Sequence, residues 1–121
     1  MKKVLYFSHD ADARRDPKMA ALIARTGMEG YGQFWVIIEI LREQDAFRLP
    51  CKSWAFEALG AEMRITPGEA QTFVETLCKS FDLLRTDGKA FWSDSLDRRM
   101  ALMTEKSEQA RKAAEKRWAG K

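Results

Sequence analysis

The sequence holds few of the residues on which metal and redox chemistry depend. Of its 121 residues two are cysteines, Cys51 and Cys78, and one is a histidine, His9. The cysteines lie far apart, with neither a CxxC spacing nor a histidine at ligand spacing, which argues against a disulfide framework or a metal site and leaves reduced, structural thiols. A single histidine among Asp10, Asp12 and Asp16 makes a poor metal set, since no second histidine or cysteine completes it; capping and turn hydrogen bonds explain these residues more simply. There is no GxSxG motif, no P-loop and no paired-carboxylate motif, so no nucleophile–base constellation exists and the chain is expected to be non-enzymatic, with no cofactor. Gly30-Tyr31-Gly32 lacks the third glycine and the preceding strand of a dinucleotide loop; close approach of a neighbouring helix explains those glycines instead. Long hydrophobic runs are missing too. The start, MKKVLYFSHD, has four apolar residues in a row, Val4 to Phe7, too few for a signal peptide or a membrane span, so a cytoplasmic protein without a membrane partner is expected. Repeats and low-complexity tracts are absent.

What is present suits one globular domain: 45% apolar residues against 32% charged. The net charge of +3 is unevenly spread. From Ser95 onward eight Lys/Arg face four acids, whereas the preceding residues hold 13 Lys/Arg and 14 acids. A near-neutral body with a cationic end points to a polyanion partner reached through that end, or to a solvated charged helix.

The largest apolar side chains concentrate in GMEGYGQFWVIIEILREQ, residues 27–44. Tyr31, Phe34, Trp35, Ile38 and Leu41 recur at helical spacing, and Ile37 and Ile40 widen that face into a central pillar of the core. Upstream, Asp16-Pro17 starts a helix with Met19, Leu22 and Ile23 on its apolar face, and Gly27 ends it. Val4 to Phe7 forms an extended segment tying the terminus to the body. After the pillar come a short strand from Ala46 to Leu49 stopped by Pro50, and a helix from Ser53, its cap, to Met63. Thr66-Pro67-Gly68-Glu69 is a capping box that opens a helix to Ser80, burying Ala70, Phe73, Val74, Leu77 and Phe81.

Asp87-Gly88 between apolar runs signals a hairpin with a type I′ turn, pairing Thr86 with Lys89, Arg85 with Ala90, Leu84 with Phe91 and Leu83 with Trp92. A long helix from about Leu96 follows. Its seam of Leu96, Met100, Met103, Ser107, Ala110 and Ala114 thins to Ser and Ala past Thr104, so that half projects from the body. This order gives a mainly α fold with a small β-ribbon: a winged helix-turn-helix with an extra N-terminal helix and a long C-terminal helix. It divides into a winged-helix domain, 1–95, and a basic helical tail, 96–121.

The segment FSHDADARRDPKMAALIARTGMEGYGQFWVIIEILREQ, residues 7–44, resembles the N-terminal domain shared by phage and prophage replisome-organiser proteins, a DnaD-like winged-helix family often described as a domain of unknown function. The matching residues are His9, Asp10, Ala13, Arg14, Asp16, Lys18, Gly27, Gly30, Tyr31, Gly32, Trp35, Glu39, Arg42 and Glu43. EKSEQARKAAEKRW, residues 105–118, is similar to the basic tail that follows such domains. The resemblance implies a role in DNA replication, by binding an origin or helping to load a helicase. Members continue into a linker and second domain, whereas this sequence ends at Lys121, as a truncated piece or a protein with a reduced task.

The helix from Pro67 to Ser80 holds the recognition position, where Gln71 and Thr72 suit base edges and Lys79 a phosphate. Its outward Glu69 and Glu75 oppose a phosphate backbone, which also fits a helix used for packing or for a protein partner. The wing tip offers Arg85 and Lys89. The tail offers Arg98, Arg99, Lys106, Arg111, Lys112, Lys116 and Arg117, interleaved with Glu105, Glu108 and Glu115 at spacings that equally suit helix salt bridges. DNA binding through wing and tail, with self-association through the N-terminal helix and strand, is the leading expectation. The alternative is an adaptor that docks a helicase or its loader without touching DNA.

Overall fold

Asp16 and Pro17 open the first helix as their chemistry dictates. The Asp16 carboxylate accepts from the backbone N–H groups of Lys18 (2.9 Å) and Met19 (3.4 Å), and Pro17, with no N–H to satisfy, sits at the start. The computed structural model describes residues 13–119. The run from Val4 to Phe7 and the residues His9, Asp10 and Asp12 lie outside that range. A 3-10 turn, Ala13–Arg15, leads into helix α1, Pro17–Glu43.

Helix α1 breaks once. Gly27 takes φ 73° and ψ −170°, a conformation essentially closed to residues with a Cβ. The two helices expected on either side of Gly27 are therefore both present, joined by a kink. Past the kink Phe34, Ile37, Ile38 and Leu41 are buried, while Tyr31, Trp35 and Ile40 are partly so. The pillar thus turns a slightly different face inward than expected, leaving its bulkiest aromatics at the edge. Gly30 marks close approach across the kink, since a Cβ there would collide with Thr26 of the preceding helical segment, whereas one on Gly32 would meet nothing within 4 Å.

Asp45–Phe47 is a 3-10 turn with Ala46 and Phe47 at positive φ, so the strand begins later than expected, as β1, Arg48–Pro50. Helix α2, Ser53–Met63, has Lys52 at its cap position with no side-chain cap bond. The Lys52 carbonyl accepts from Ala55 and Phe56, so Ser53 is the first helical residue and not the cap. Left-handed Arg64 closes α2, and helix α3, Pro67–Lys79, follows after a tight turn. The reciprocal bonds of the capping box are both made: Thr66 Oγ1 accepts from Glu69 N–H at 3.1 Å, and Glu69 Oε1 accepts from Thr66 N–H at 3.0 Å. Ala70, Val74, Leu77 and Phe81 are buried and Phe73 is half-buried, as the spacing anticipates.

Strands β2, Arg85–Thr86, and β3, Ala90–Trp92, form the ribbon, and β3 lies in the middle of an antiparallel sheet of order β1-β3-β2. The register differs from expectation. Arg85 pairs with Trp92 and Thr86 with Phe91, which opens the turn by two residues. Gly88 has φ 88° but Asp87 stays out of the positive-φ region, so no type I′ turn forms. Side chains hold the wider turn: Asp87 Oδ1 accepts from the N–H groups of Lys89 (2.8 Å) and Ala90 (2.9 Å), and Thr86 Oγ1 accepts from Gly88 N–H (3.0 Å) and donates to the Ala90 carbonyl (2.8 Å). A two-residue shift preserves which face each side chain occupies, which is why the alternation misled only the pairing.

Helix α4 runs from Asp94 to Ala119, starting two residues before Leu96. Ser93, buried, supplies the cap: its Oγ accepts from Leu96 N–H at 3.1 Å and its carbonyl from Asp97 N–H at 3.0 Å. Leu96 is buried and Met100 packs against the core. From Thr104 to Arg117 every side chain except Ala114 is exposed, so this half of α4 does stand clear of the body.

Because nothing crowds a Cβ at Gly27, Gly27→Ala isolates the backbone cost of that conformation and should destabilise the fold by about 1–3 kcal/mol in urea unfolding. The two backbone N–H groups donated to Asp87 hold its carboxyl below the ordinary aspartate range. Its contribution to the turn is therefore present above the unfolded value, about 3.9, and disappears as pH falls through the lower folded value. NMR titration should show the Lys89 and Ala90 amides moving together in that low-pH window; an Asp87 carboxyl titrating at or above the ordinary value would contradict the turn geometry.

Candidate nucleic-acid interface

The ribbon and α4, which meet at Ser93, carry the cations expected of wing and tail, while other exposed cations, among them Arg14, Arg25, Lys52, Arg64 and Lys79, are scattered over the rest of the body. At 100° per residue, Arg98, Arg99, Lys106, Lys112, Lys116 and Arg117 fall within an arc of roughly 140° around α4, and Arg111 stands apart. The 26-residue helix extends about 39 Å, so the stripe follows a line long enough to contact several phosphates. Arg98 is exposed and Arg99 half-buried near the body; Lys106, Arg111, Lys112, Lys116 and Arg117 are all exposed. Leu102, 57% exposed, sits within the same stripe.

The ribbon presents its cations differently from the tip arrangement expected. The shifted register moves Arg85 away from the turn and opposite Trp92, while Lys89 stays exposed within the turn. Arg85 Nε donates to Asp94 Oδ2 at 2.9 Å, and Trp92 Nε1 donates to Asp94 Oδ1 at 3.1 Å. With the Arg85 guanidinium first and the indole N–H second, these partners hold the Asp94 carboxyl below its usual range. The pair is well exposed, at 61% and 45%, so it orients Arg85 more than it stabilises the fold.

Register adds a cation that sequence reasoning missed. Arg48 and Arg85 both pair with Trp92, from opposite sides of the central strand, so the three share one face. The Arg48 guanidinium lies 4.0 Å from the centre of the Trp92 ring. Burial raises the Asp97 carboxyl and the nearby Arg48 charge opposes that rise. Nothing in the order of residues signals this row, because it depends on two strands more than 40 positions apart in the chain pairing at one residue.

Helix α3 offers little to a polyanion. Gln71 and Thr72 are exposed, but Gln71 Nε2 donates to Glu75 Oε1 at 3.4 Å, Thr76 Oγ1 donates to the Thr72 carbonyl at 2.9 Å, and Glu69 is engaged in the capping box. Lys79, also exposed, is the lone lysine on this helix.

Between the ribbon and the two helices that flank it lies a cleft of about 230 Å³. Met19, Phe34, Trp35, Ile38, Leu83 and Leu96 form its apolar lining. Asp16, Lys18, Asp82, Arg85, Asp94, Arg98 and Arg99 contribute charge, and Lys18 Nζ donates to the Asp82 carbonyl at 3.2 Å. The cleft joins four separate stretches of chain, so no local motif announces it. Among the described residues no group of three His, Cys, Asp or Glu side chains is placed to hold a metal ion, and no helix is long and apolar enough to cross a membrane.

No curated protein and no solved structure matches the chain. A family model described as Lin1244/Lin1753-like, N-terminal, matches residues 6–96. The match takes in α1, the helix-turn-helix and the whole ribbon, and stops within the first turn of α4. With well over half of its length matched, the chain belongs to the Lin1244/Lin1753-like N-terminal domain family.

Proposed function

We propose that this chain is a non-catalytic DNA-replication module of the phage replisome-organiser type, which grips the phosphate backbone through α4 and the ribbon. The observation that carries the reading is the stripe on α4: six cations along one side of a helix whose outer half is exposed on nearly every described side chain. Phosphate contacts supply most sequence-independent affinity, and a rigid cationic rod laid along a backbone meets that requirement without a shaped pocket. The resemblance of residues 7–44 to replisome-organiser domains supplies the replication context.

Helix α3 takes a different part in this proposal from that of a groove-reading helix. Its outward Glu69 and Glu75 repel phosphates, and Gln71 is occupied by Glu75. Contact is then dominated by backbone charge, with little base readout. That same acidic face favours the second reading, an adaptor that docks a cationic surface of a helicase or its loader.

Fluorescence anisotropy with labelled duplex and single-stranded DNA across a salt series tests the first reading. Affinity should fall steeply with salt, and Lys112→Ala with Lys116→Ala should reduce the log–log slope by about 2. Scrambling the DNA sequence, or introducing Gln71→Ala and Thr72→Ala, should change affinity less than twofold. Absence of binding at low salt overturns the proposal. A replication-protein complex that survives high salt and is lost with Glu75→Lys supports the adaptor instead.

A further inference from the structure

The outer face of the sheet carries a row of side chains that the core does not use. Side chains alternate along β3, so Phe91 enters the core while Trp92 lies on the opposite face, half-buried and outside the core cluster. Arg48 on β1 and Arg85 on β2 flank Trp92 at the same register, on strands roughly 10 Å apart, twice the spacing between neighbours. Pro50 pairs with Ala90 two residues along, so this face continues as a shallow surface of small, half-buried side chains.

The row is layered. The Arg48 guanidinium lies over the Trp92 ring, 4.0 Å from its centre, and Arg48 is exposed. One side of this cation is therefore backed by the indole and the other meets solvent. The indole is pinned in turn, because its N–H donates to Asp94 Oδ1 at 3.1 Å. Contact with the ring orients Arg48 without neutralising it, and Arg48 makes no salt bridge among the described residues. Arg85 engages Asp94 through Nε alone and keeps its side chain 61% exposed.

We propose that this row binds one unpaired base of single-stranded DNA, with the base stacked on the open side of the Arg48 guanidinium and a neighbouring phosphate on Arg85. Two observations select this occupant. A planar cation backed by an indole takes the face of a base, whereas a duplex offers only base edges in its grooves, so the base must be unpaired. Asp94, the first residue of α4, bonds both Arg85 and Trp92, so the row adjoins the end of the cationic stripe that Arg98 begins. A strand that follows the stripe arrives at Arg48 and Arg85. Resting on the reading of α4 as a phosphate-binding stripe, the site adds a preference for single strands that backbone charge does not supply.

Anisotropy on the full chain tests the site with three labelled probes of equal length: an oligo-dT strand, the same phosphodiester strand made abasic throughout, and a duplex. At one salt concentration the protein should bind the dT strand about tenfold more tightly than the abasic strand, as expected for one stacked base. Arg48→Lys keeps the charge and removes the planar surface, so dT binding should drop to the abasic level while abasic and duplex binding change less than twofold. The Trp92 indole N–H resonance should shift on titration with the dT strand and stay in place with the abasic strand. Equal affinity of the unmodified protein for dT and abasic strands would overturn this site and leave the phosphate reading of α4 intact. An Arg48→Lys protein that still prefers the dT strand, or that weakens alike on all three probes, would do the same. Binding to none of the probes at low salt would overturn both.

Discussion

The burial of Phe91 fixes more of this structure than any other contact. The side chain has no exposed surface and stacks on Phe56 of α2, with ring centroids 5.9 Å apart and planes 9° from parallel. Its backbone is the middle rung of the sheet, opposite Leu49 on one side and Thr86 on the other. Two residues later, buried Ser93 caps α4. Once Phe91 is seated on α2, the sheet order, the position of the ribbon and the starting point of the last helix are all constrained. Burying an aromatic side chain of this size contributes on the order of 2–3 kcal/mol by transfer alone, and stacking adds to that. Removing it would loosen three elements together, because none of them has a large core of its own.

Helix starts were the features most legible in the sequence, since they are decided within four residues. Asp16-Pro17 and Thr66-Pro67-Gly68-Glu69 behave as local chemistry requires, and Gly27 breaks its helix because only glycine tolerates that backbone. The ribbon was legible as a ribbon but not in its register. Asp-Gly supports a two-residue turn in general, yet here Thr86 and Asp87 together provide four side-chain hydrogen bonds to a wider one, and the apolar alternation cannot distinguish registers two residues apart. Ser93 escaped notice as a cap because it follows directly on the strand residues Phe91 and Trp92, leaving no loop between elements. The cleft was invisible for a different reason: Trp35 and Leu83 have nothing in their own neighbourhoods to show that they meet.

Charge is segregated along the chain in a way the fold makes use of. Helix α3 has carboxylates at its outer face, with Gln71 donating to Glu75 and Thr76 to the Thr72 carbonyl. A row of cations runs along α4 beside those of the ribbon, while single cations such as Lys52, Arg64 and Lys79 are spread over the rest of the body. Some of the cationic character is spent within the body, since Arg85 is held by Asp94 and Arg48 covers Trp92. The boundary of the family match at residue 96 sharpens this division. The body carries the family pattern, whereas the cationic stripe, from Arg98 to Arg117, lies wholly outside it.

The tail left two readings open in the sequence, a phosphate-binding stripe or a helix laced by its own salt bridges, and energetics show that one does not exclude the other. An exposed pair at the i,i+4 spacing of Glu108 and Lys112 would contribute about 0.2–0.5 kcal/mol if formed, and the structure forms none there. Asp94 and Asp97 in the first turn and Lys116 and Arg117 in the last favour helix in a segment with almost no core contacts. A pair of that size is too little to compete with counterion release when several phosphates present themselves in a row. Glu105, Glu108 and Glu115 temper the net charge of the rod without engaging its cations. The cations beside them stay available, because an exposed ion pair at such spacing is weak and readily exchanges one anionic partner for another.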